Sequence, residues 1–192
     1  MTRKNSKFRQ RKTLRPIFLS NRNFEWHYNV SCVISAFAEI QKSFPEARLI
    51  IAGFGSEEAK LKNLAEKLGL ENIDFVGKVP NEEMPKLYDE ADIYLNSSVV
   101  DNMPLSLIEA FACGIPVVSS NAGGISYIIE NGETGLLVEK NDCRGLANEA
   151  VKILKNEDLA QKLIVQAHTS VERYSTENVT KSWRKLFLEM AQ

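Results

Sequence analysis

Short apolar runs recur along this chain between longer stretches of helical periodicity, and that alternation restricts its fold more than any other feature. Arg48-Leu-Ile-Ile-Ala52, ending at Gly53, is continuous rather than alternating, as expected of a strand buried on both faces of a parallel sheet. Residues 16–20, 73–76, 92–95, 115–119 and 136–138 read the same way, with Pro116 near a strand start, where a sheet accepts it. Residues 29–43 predict a helix with Val30, Val33, Ile34, Phe37 and Ile40 on one side. Residues 57–68 predict another, closed by Gly69, with Leu61, Leu64, Ala65 and Leu68 turned inward. A third runs over 81–91, with Asn81 as cap and Pro85 in the first turn. Others cover 104–113, a short stretch from Gly123-Gly124 to Ile129, then 142–155, 157–174 and 175 onward. Asn131-Gly-Glu-Thr-Gly135 is turn chemistry. This order predicts an α/β fold: one Rossmann-like, doubly wound parallel sheet with right-handed crossovers and C-terminal helices.

A chain of 192 residues can bury a real core, and 44% hydrophobic with 26% charged residues is the balance of a globular protein. No apolar run approaches the roughly 18 residues of a membrane span, and the polar, basic opening has no signal-peptide core. Cys32, Cys113 and Cys143 are odd in number, far apart and outside metal-ligand spacing, so they read as reduced thiols of a cytoplasmic protein. Asn29-Val-Ser31, Asn96-Ser-Ser98 and Asn178-Val-Thr180 match the glycosylation pattern without consequence in that setting. The net charge of −1 hides an asymmetry: Arg3, Lys4, Lys7, Arg9, Arg11, Lys12 and Arg15 precede the first acid, Glu25, and without them the remainder stands at −8. Residues 1–15 therefore read as a basic, disordered leader or the scar of a missing upstream domain. The alternative is an arm for an anionic membrane surface, peripheral at its inner face. Phe8 is the one aromatic there, so base stacking with nucleic acid is disfavoured.

In doubly wound sheets ligands bind at the carboxyl ends of the strands, near the reversal of strand order. Asn21-Arg22, Gly53-Phe-Gly55, Gly77-Lys-Val79, residues 97–103 and residues 119–124 all fall on that rim. Between Asp101 and Glu109 stand Asn102, Met103, Pro104, Leu105 and Ser106 at a predicted helix start. Free N–H groups and the positive end of the dipole make such a terminus a phosphate site. Arg22 suits bidentate contact to a diphosphate, and Glu109 can accept both hydrogen bonds of a ribose diol. Structural alternatives stay open: Ser106 to Glu109 spells a capping box, and Asp101 or Asn102 could cap the helix. Gly53-Phe-Gly-Ser-Glu-Glu58 lacks the third glycine of a dinucleotide fingerprint and follows the second strand, so it reads as a tight turn that touches a ligand at most. Asp89-Glu-Ala-Asp92 matches a helicase tetrapeptide, but no phosphate-binding loop accompanies it. His27 and His168 are isolated. Trp183, Leu186 and Phe187 share one side of the last helix, where they pack or dock another domain.

The segment Ser97-Ser-Val-Val-Asp-Asn-Met-Pro-Leu-Ser-Leu-Ile-Glu-Ala-Phe-Ala-Cys-Gly-Ile-Pro-Val-Val-Ser-Ser-Asn-Ala-Gly-Gly124 resembles the C-terminal domain of a family 4 (group 1) retaining glycosyltransferase with the GT-B fold. Leu19-Ser-Asn-Arg22, Ala47-Arg-Leu-Ile-Ile-Ala-Gly-Phe-Gly55, Ile73-Asp-Phe-Val-Gly-Lys-Val79 and Asn131-Gly-Glu-Thr-Gly-Leu-Leu-Val138 follow the family's order, and the likeness spans residues 16–191. The resemblance implies transfer of a hexose from a UDP- or GDP-linked sugar to a glycan, polysaccharide or lipid acceptor, with retention. No metal or other cofactor is implied, and the chain lacks an Asp-x-Asp motif. Glu109 would hold the ribose, Asp101 the donor sugar, and Arg22 with the N–H groups from Met103 to Ser106 the diphosphate. The Val79 backbone would meet the base, with Gly53 and Gly55 beside the nucleotide sugar. Two residues depart from the pattern: Asp101 stands where the family usually has glutamate, and His27 where it often has lysine. A GT-B enzyme also needs an N-terminal acceptor domain, so a missing domain or partner chain is implied. The rival readings are a non-catalytic nucleotide-sugar-binding module, one subunit of a two-chain transferase, and a GT-B nucleotide-sugar epimerase.

Overall fold

A computed structural model describes residues 8–190; residues 1–7, which include Arg3, Lys4 and Lys7 of the basic leader, and residues 191–192 lie outside it. The strands are β1 (Ile17–Ser20), β2 (Arg48–Ala52), β3 (Ile73–Gly77), β4 (Ile93–Asn96), β5 (Val117–Ser120) and β6 (Leu136–Val138). They form one sheet in the order β3-β2-β1-β4-β5-β6, with every pairing parallel. The chain works outward from β1 to β3, then returns to lay β4 on the other side of β1. Strand order therefore reverses between β1 and β4, which opens a crevice at their carboxyl ends.

The helices are α1 (Val30–Gln41), α2 (Glu58–Lys67), α3 (Met84–Glu90), α4 (Leu105–Ala112), α5 (Cys143–Lys155), α6 (Glu157–Ser170) and α7 (Thr176–Met190). Side chains alternate across the sheet, so neighbouring strand residues feed two different cores. Phe18, Leu49, Ile51, Leu95 and Val118 pack with α1 and α5 on one face. Leu19, Ile50, Tyr94 and Val117 pack with Tyr88 of α3 and Phe111 of α4 on the other. Each such side chain, fully withdrawn from water, contributes about 1.5–3 kcal/mol relative to its exposed state. Continuous apolar runs are what a sheet covered on both faces demands, and the expected fold class is the observed one.

The differences are local. Asn81 caps nothing: residues 81–83 form a turn, and α3 begins at Met84 with Pro85 in its first turn. The predicted helix over 157–174 ends at Ser170 and continues as a tighter turn, Val171–Tyr174. A similar turn, Trp26–Tyr28, follows β1 and gives no periodic signal because it is too short to show one.

Two expectations are corrected. Most of residues 8–15 are exposed, but Arg11 is only 2% exposed and ties the stretch to the domain. Its Nε donates to Asp92 Oδ1 at 2.9 Å, Nη2 donates to the Tyr88 carbonyl at 2.7 Å, and Nη1 donates to the carbonyls of Cys113 at 2.9 Å and Gly114 at 3.0 Å. Arg15 holds the other carboxylate oxygen of Asp92 at 2.8 Å. The physical reason is at the far end of the contact. A buried carboxylate and the unpaired carbonyls ending α3 and α4 need a cation, and this stretch supplies it. Three of the arm's cations are thus engaged with the domain: Arg11 inside it, the half-exposed Arg15 on the same buried carboxylate, and Arg9 at the surface with Asp89. The second correction concerns the thiols. Cys32 and Cys143 form a disulfide with Cα atoms 5.0 Å apart, while Cys113 is free and buried. Residues 111 positions apart carry no spacing signal; packing of α1 on α5 brings them together. The cysteines therefore no longer argue for a reducing compartment.

Candidate functional site

Arg22 leaves β1 and Asp101 follows β4, so the two flank the point where strand order reverses. They meet directly: Arg22 Nη2 pairs with Asp101 Oδ2, and the side chains are 12% and 10% exposed. Arg22 Nη1 donates to Ser106 Oγ at 3.2 Å, and its guanidinium carbon sits 4.2 Å from the centre of the Tyr28 ring. Stacked on an aromatic face and forked between two oxygens, the guanidinium is held at the mouth of α4. Its Nε is buried without a hydrogen-bond partner.

The helix itself decides between the structural and functional readings of this segment. Pro104, in extended backbone, precedes α4, and no side chain caps the terminus. Asp101 is committed to Arg22, and Ser106 lies inside the first turn. The capping-box reading is therefore wrong, because Glu109 does not reach back to the helix start. Its Oε2 accepts instead from the Tyr88 hydroxyl at 2.7 Å. An uncapped terminus leaves its first N–H groups without intrahelical partners. Pro104 has no N–H and the Leu107 N–H donates to the Pro104 carbonyl at 3.1 Å, so that run reduces to Leu105 and Ser106, with Met103 just before it. Met103 and Leu105 are exposed on the rim, as is Asn102.

The glycines hold this rim by close backbone approach. A Cβ on Gly53 would stand 2.3 Å from the Arg22 carbonyl oxygen, and one on Gly55 2.6 Å from that of Phe24. The Phe24 N–H donates to the Phe54 carbonyl at 2.9 Å, so the β1 and β2 loops are laced together. Gly53 and Gly55 are therefore backbone-packing residues beside the site. Val79 is half-buried on the loop after β3, and among the described residues no hydrogen bond joins it to the Arg22–Asp101 centre. Its loop is tied in through the Gly53 N–H, which donates to the Gly77 carbonyl at 2.9 Å.

Gly123 and Gly124 do the same for the Asp101 loop. The Gly124 N–H donates to the Asp101 carbonyl at 2.9 Å, and a Cβ on Gly124 would fall 1.9 Å from the Asn102 carbonyl oxygen. Nothing can occupy that space without moving the loop. Gly124→Ala is expected to cost about 1–3 kcal/mol, the usual range for overpacking, read as a lower denaturant midpoint; an unchanged midpoint would mean the contact is soft. Buried serines complete the scaffold: Ser120 Oγ donates to the Ser98 carbonyl at 2.5 Å, and Ser98 Oγ donates to Asn96 Oδ1 at 2.9 Å while lying 3.3 Å from Asp101 Oδ2.

Sequence reasoning missed Tyr28, Tyr88, Tyr94 and Ser98. Tyr88 lies on the inward face of α3 and Tyr94 in β4, so both scan as core. Only their hydroxyl partners reveal them, and those partners lie across the fold.

The family described as "Glycosyl transferases group 1" matches residues 2–169. The chain is similar to N-acetyl-alpha-D-glucosaminyl L-malate synthase of Bacillus anthracis, with 32% identity over 88% of this chain and 44% of that protein. Among solved structures it is similar to TarM of S. aureus, with a TM-score of 0.84, 24% identity and coverage of 96% of this chain and 37% of the other. Anabaena HepE, crystallised with UDP and glucose, gives a TM-score of 0.81 at 20% identity over 92% of this chain and 48% of the other. The chain thus spans less than half the length of these proteins, and the structural likeness matches C-terminal domains of the GT-B fold.

Proposed function

The chain belongs to the group 1 glycosyl transferases, and from that premise we propose that it is the donor half of a hexosyltransferase using a UDP- or GDP-linked sugar. One observation carries the proposal. Arg22 from β1 and the uncapped start of α4 after β4 converge at the reversal of strand order, with Glu109 one turn further into the helix. A cation and free N–H groups suit the diphosphate, and a carboxylate at that remove suits the ribose. As charge builds on the departing diphosphate, these fixed donors would stabilise it without a divalent ion. Transfer with retention, to a glycan, polysaccharide or lipid acceptor, belongs to the same proposal. So does a location on the cytoplasmic side, peripheral to the membrane; no helix among the described residues is long and apolar enough to cross one.

Binding of the acceptor is assigned to a second domain or a partner chain. This is favoured by α7, in which no residue is buried while Trp183, Leu186, Phe187, Leu188 and Met190 are exposed. A face of that size on one helix is uncommon on a free surface. The same observation supports a second reading, in which this chain is one subunit of a two-chain transferase.

The test is thermal unfolding with UDP and GDP in parallel. A ligand at a hundred times its Kd adds about 2.7 kcal/mol of stability, so the midpoint should rise with one of the two nucleotides. Glu109→Ala should remove most of that response. If neither nucleotide raises the midpoint of the wild type, the assignment is wrong.

A further inference from the structure

Glu109 does not stand alone. Tyr94 Oη donates to Asn21 Oδ1 at 2.6 Å, Asn21 Nδ2 donates to Tyr88 Oη at 2.8 Å, and Tyr88 Oη donates to Glu109 Oε2 at 2.7 Å. The chain of bonds runs in one direction. Each hydroxyl has a single proton, and an amide can donate only from its nitrogen. With Asn21 fixed by Tyr94, its NH₂ occupies a lone pair of Tyr88, and the Tyr88 proton is left for Glu109. Both tyrosines are withdrawn from water, at 1% and 0% exposure, so neither can exchange its partner for solvent. Burial, with Tyr94 and Glu109 nearby, pushes the Tyr88 phenol well above its ordinary range, so it stays protonated and stays a donor. Burial does the same to Tyr94.

We infer that Asn21 and Tyr88 are positioning residues that lock the Glu109 carboxylate in one orientation, with Oε2 held by the protein and Oε1 presented to the ribose hydroxyls of the donor. The inference rests on the assignment of Glu109 to the ribose and adds how the site recognises a ribonucleotide. A glutamate near a helix surface has three side-chain torsions to lose on binding. Fixing one oxygen beforehand removes much of that cost, and the gain is realised only when a hydroxyl is there to meet the other oxygen. Tyr88 and Asn21 therefore act on discrimination between ribose and deoxyribose, rather than on affinity in general. The network also joins three parts of the fold: Asn21 directly follows β1, α3 carries Tyr88 and α4 carries Glu109.

Affinity for UDP and for 2′-deoxy-UDP, or for the guanine pair if GDP is the nucleotide bound, is measured by calorimetry on the wild type, Tyr88→Phe and Asn21→Ala. In the wild type the ribonucleotide should bind more tightly. Tyr88→Phe keeps the ring and its packing, and it should weaken the ribonucleotide about tenfold while leaving the deoxy analogue nearly unchanged. Asn21→Ala, which touches neither the ring nor Glu109, should shift the same ratio in the same direction by a smaller factor. A variant that weakens both nucleotides equally, or neither, overturns the positioning role. If Tyr88→Phe does not fold, Asn21→Ala decides by the same ratio. If instead the wild type binds a nucleotide but does not distinguish ribose from deoxyribose, the ribose assignment of Glu109 itself has failed.

Discussion

Arg11→Ala is expected to destabilise the domain by about 3–5 kcal/mol, the range for removing one partner of a buried ion pair. The substitution strands Asp92, which is as buried as Arg11 and would keep only the half-exposed Arg15 as counter-charge. It also leaves the carbonyls of Tyr88 and Gly114 without their donor, and that of Cys113 with only the longer bond from the Arg9 N–H at 3.4 Å. Against a total stability of about 5–15 kcal/mol, that loss removes much of the fold's margin. Denaturant unfolding of Arg11→Ala and Arg11→Lys measures it. The lysine variant should recover the charge but not the fork, and so fall between wild type and alanine. A loss below about 1 kcal/mol for Arg11→Ala would place the cluster with ordinary surface pairs.

The same cluster sets a pH dependence. Burial pushes the Asp92 carboxyl up, but hydrogen bonds and charge from Arg15 and Arg11 outweigh it, and the net shift is downward. A depressed carboxylate contributes stability above its unfolded value, and that contribution is lost as pH falls through the folded one. The wild type should therefore lose stability in acid below the ordinary aspartate range, and Arg11→Ala should flatten that part of the profile. There is a functional consequence too. The guanidinium ties the end of α3 to the end of α4, the two helices that carry Tyr88 and Glu109.

The second large effect is expected at Arg22. Arg22→Ala should weaken UDP or GDP binding about a hundredfold, within the 2–5 kcal/mol range for truncating one partner of a desolvated charge pair. The free nucleoside should be nearly unaffected, because the guanidinium is assigned to the diphosphate. Part of the loss comes from Asp101, which would face the diphosphate unpaired. Asp101→Asn in the Arg22→Ala background should thus recover some affinity, and the double-mutant cycle should show coupling. Additive effects would mean that Arg22 and Asp101 act on different parts of the ligand. Equal losses for nucleotide and nucleoside would remove the diphosphate from the account.

Asp101 illustrates how much of the site was legible. Its residue type, its place after a strand and its distance from Glu109 all pointed to the rim at the carboxyl ends of the strands, and it does follow β4 there, beside Arg22. Its partner was not legible: the expected sugar contact is bonded to the expected diphosphate contact. The capping box failed for a similar reason. Ser106 and Glu109 have the right spacing for one, but the pattern says nothing of Arg22 and Tyr88, which claim the two side chains from other strands and helices. Gly53-Phe-Gly55 was weak as a fingerprint and strong as a turn, and its glycines are required by the backbone of the neighbouring loop.

The basic segment misled because charge composition describes how a stretch meets water, not whether a buried partner awaits it. Arg11 looked like one cation among seven, and Asp92 like the end of a helicase-like tetrapeptide. Each is explained only by the other, 81 residues away. The cysteines misled in the same way.

By itself the sequence determined the periodicities: where strands and helices lie, that both sheet faces are covered, and which loops follow the carboxyl ends of the strands. Those follow from local rules, because side-chain direction repeats every 2 or 3.6 residues whatever the chain does elsewhere. Tertiary structure alone decided the pairings, namely Arg22 with Asp101, Tyr88 with Glu109, Arg11 with Asp92 and Cys32 with Cys143. Those depend on which elements the crossovers set side by side, and no spacing along the chain encodes that.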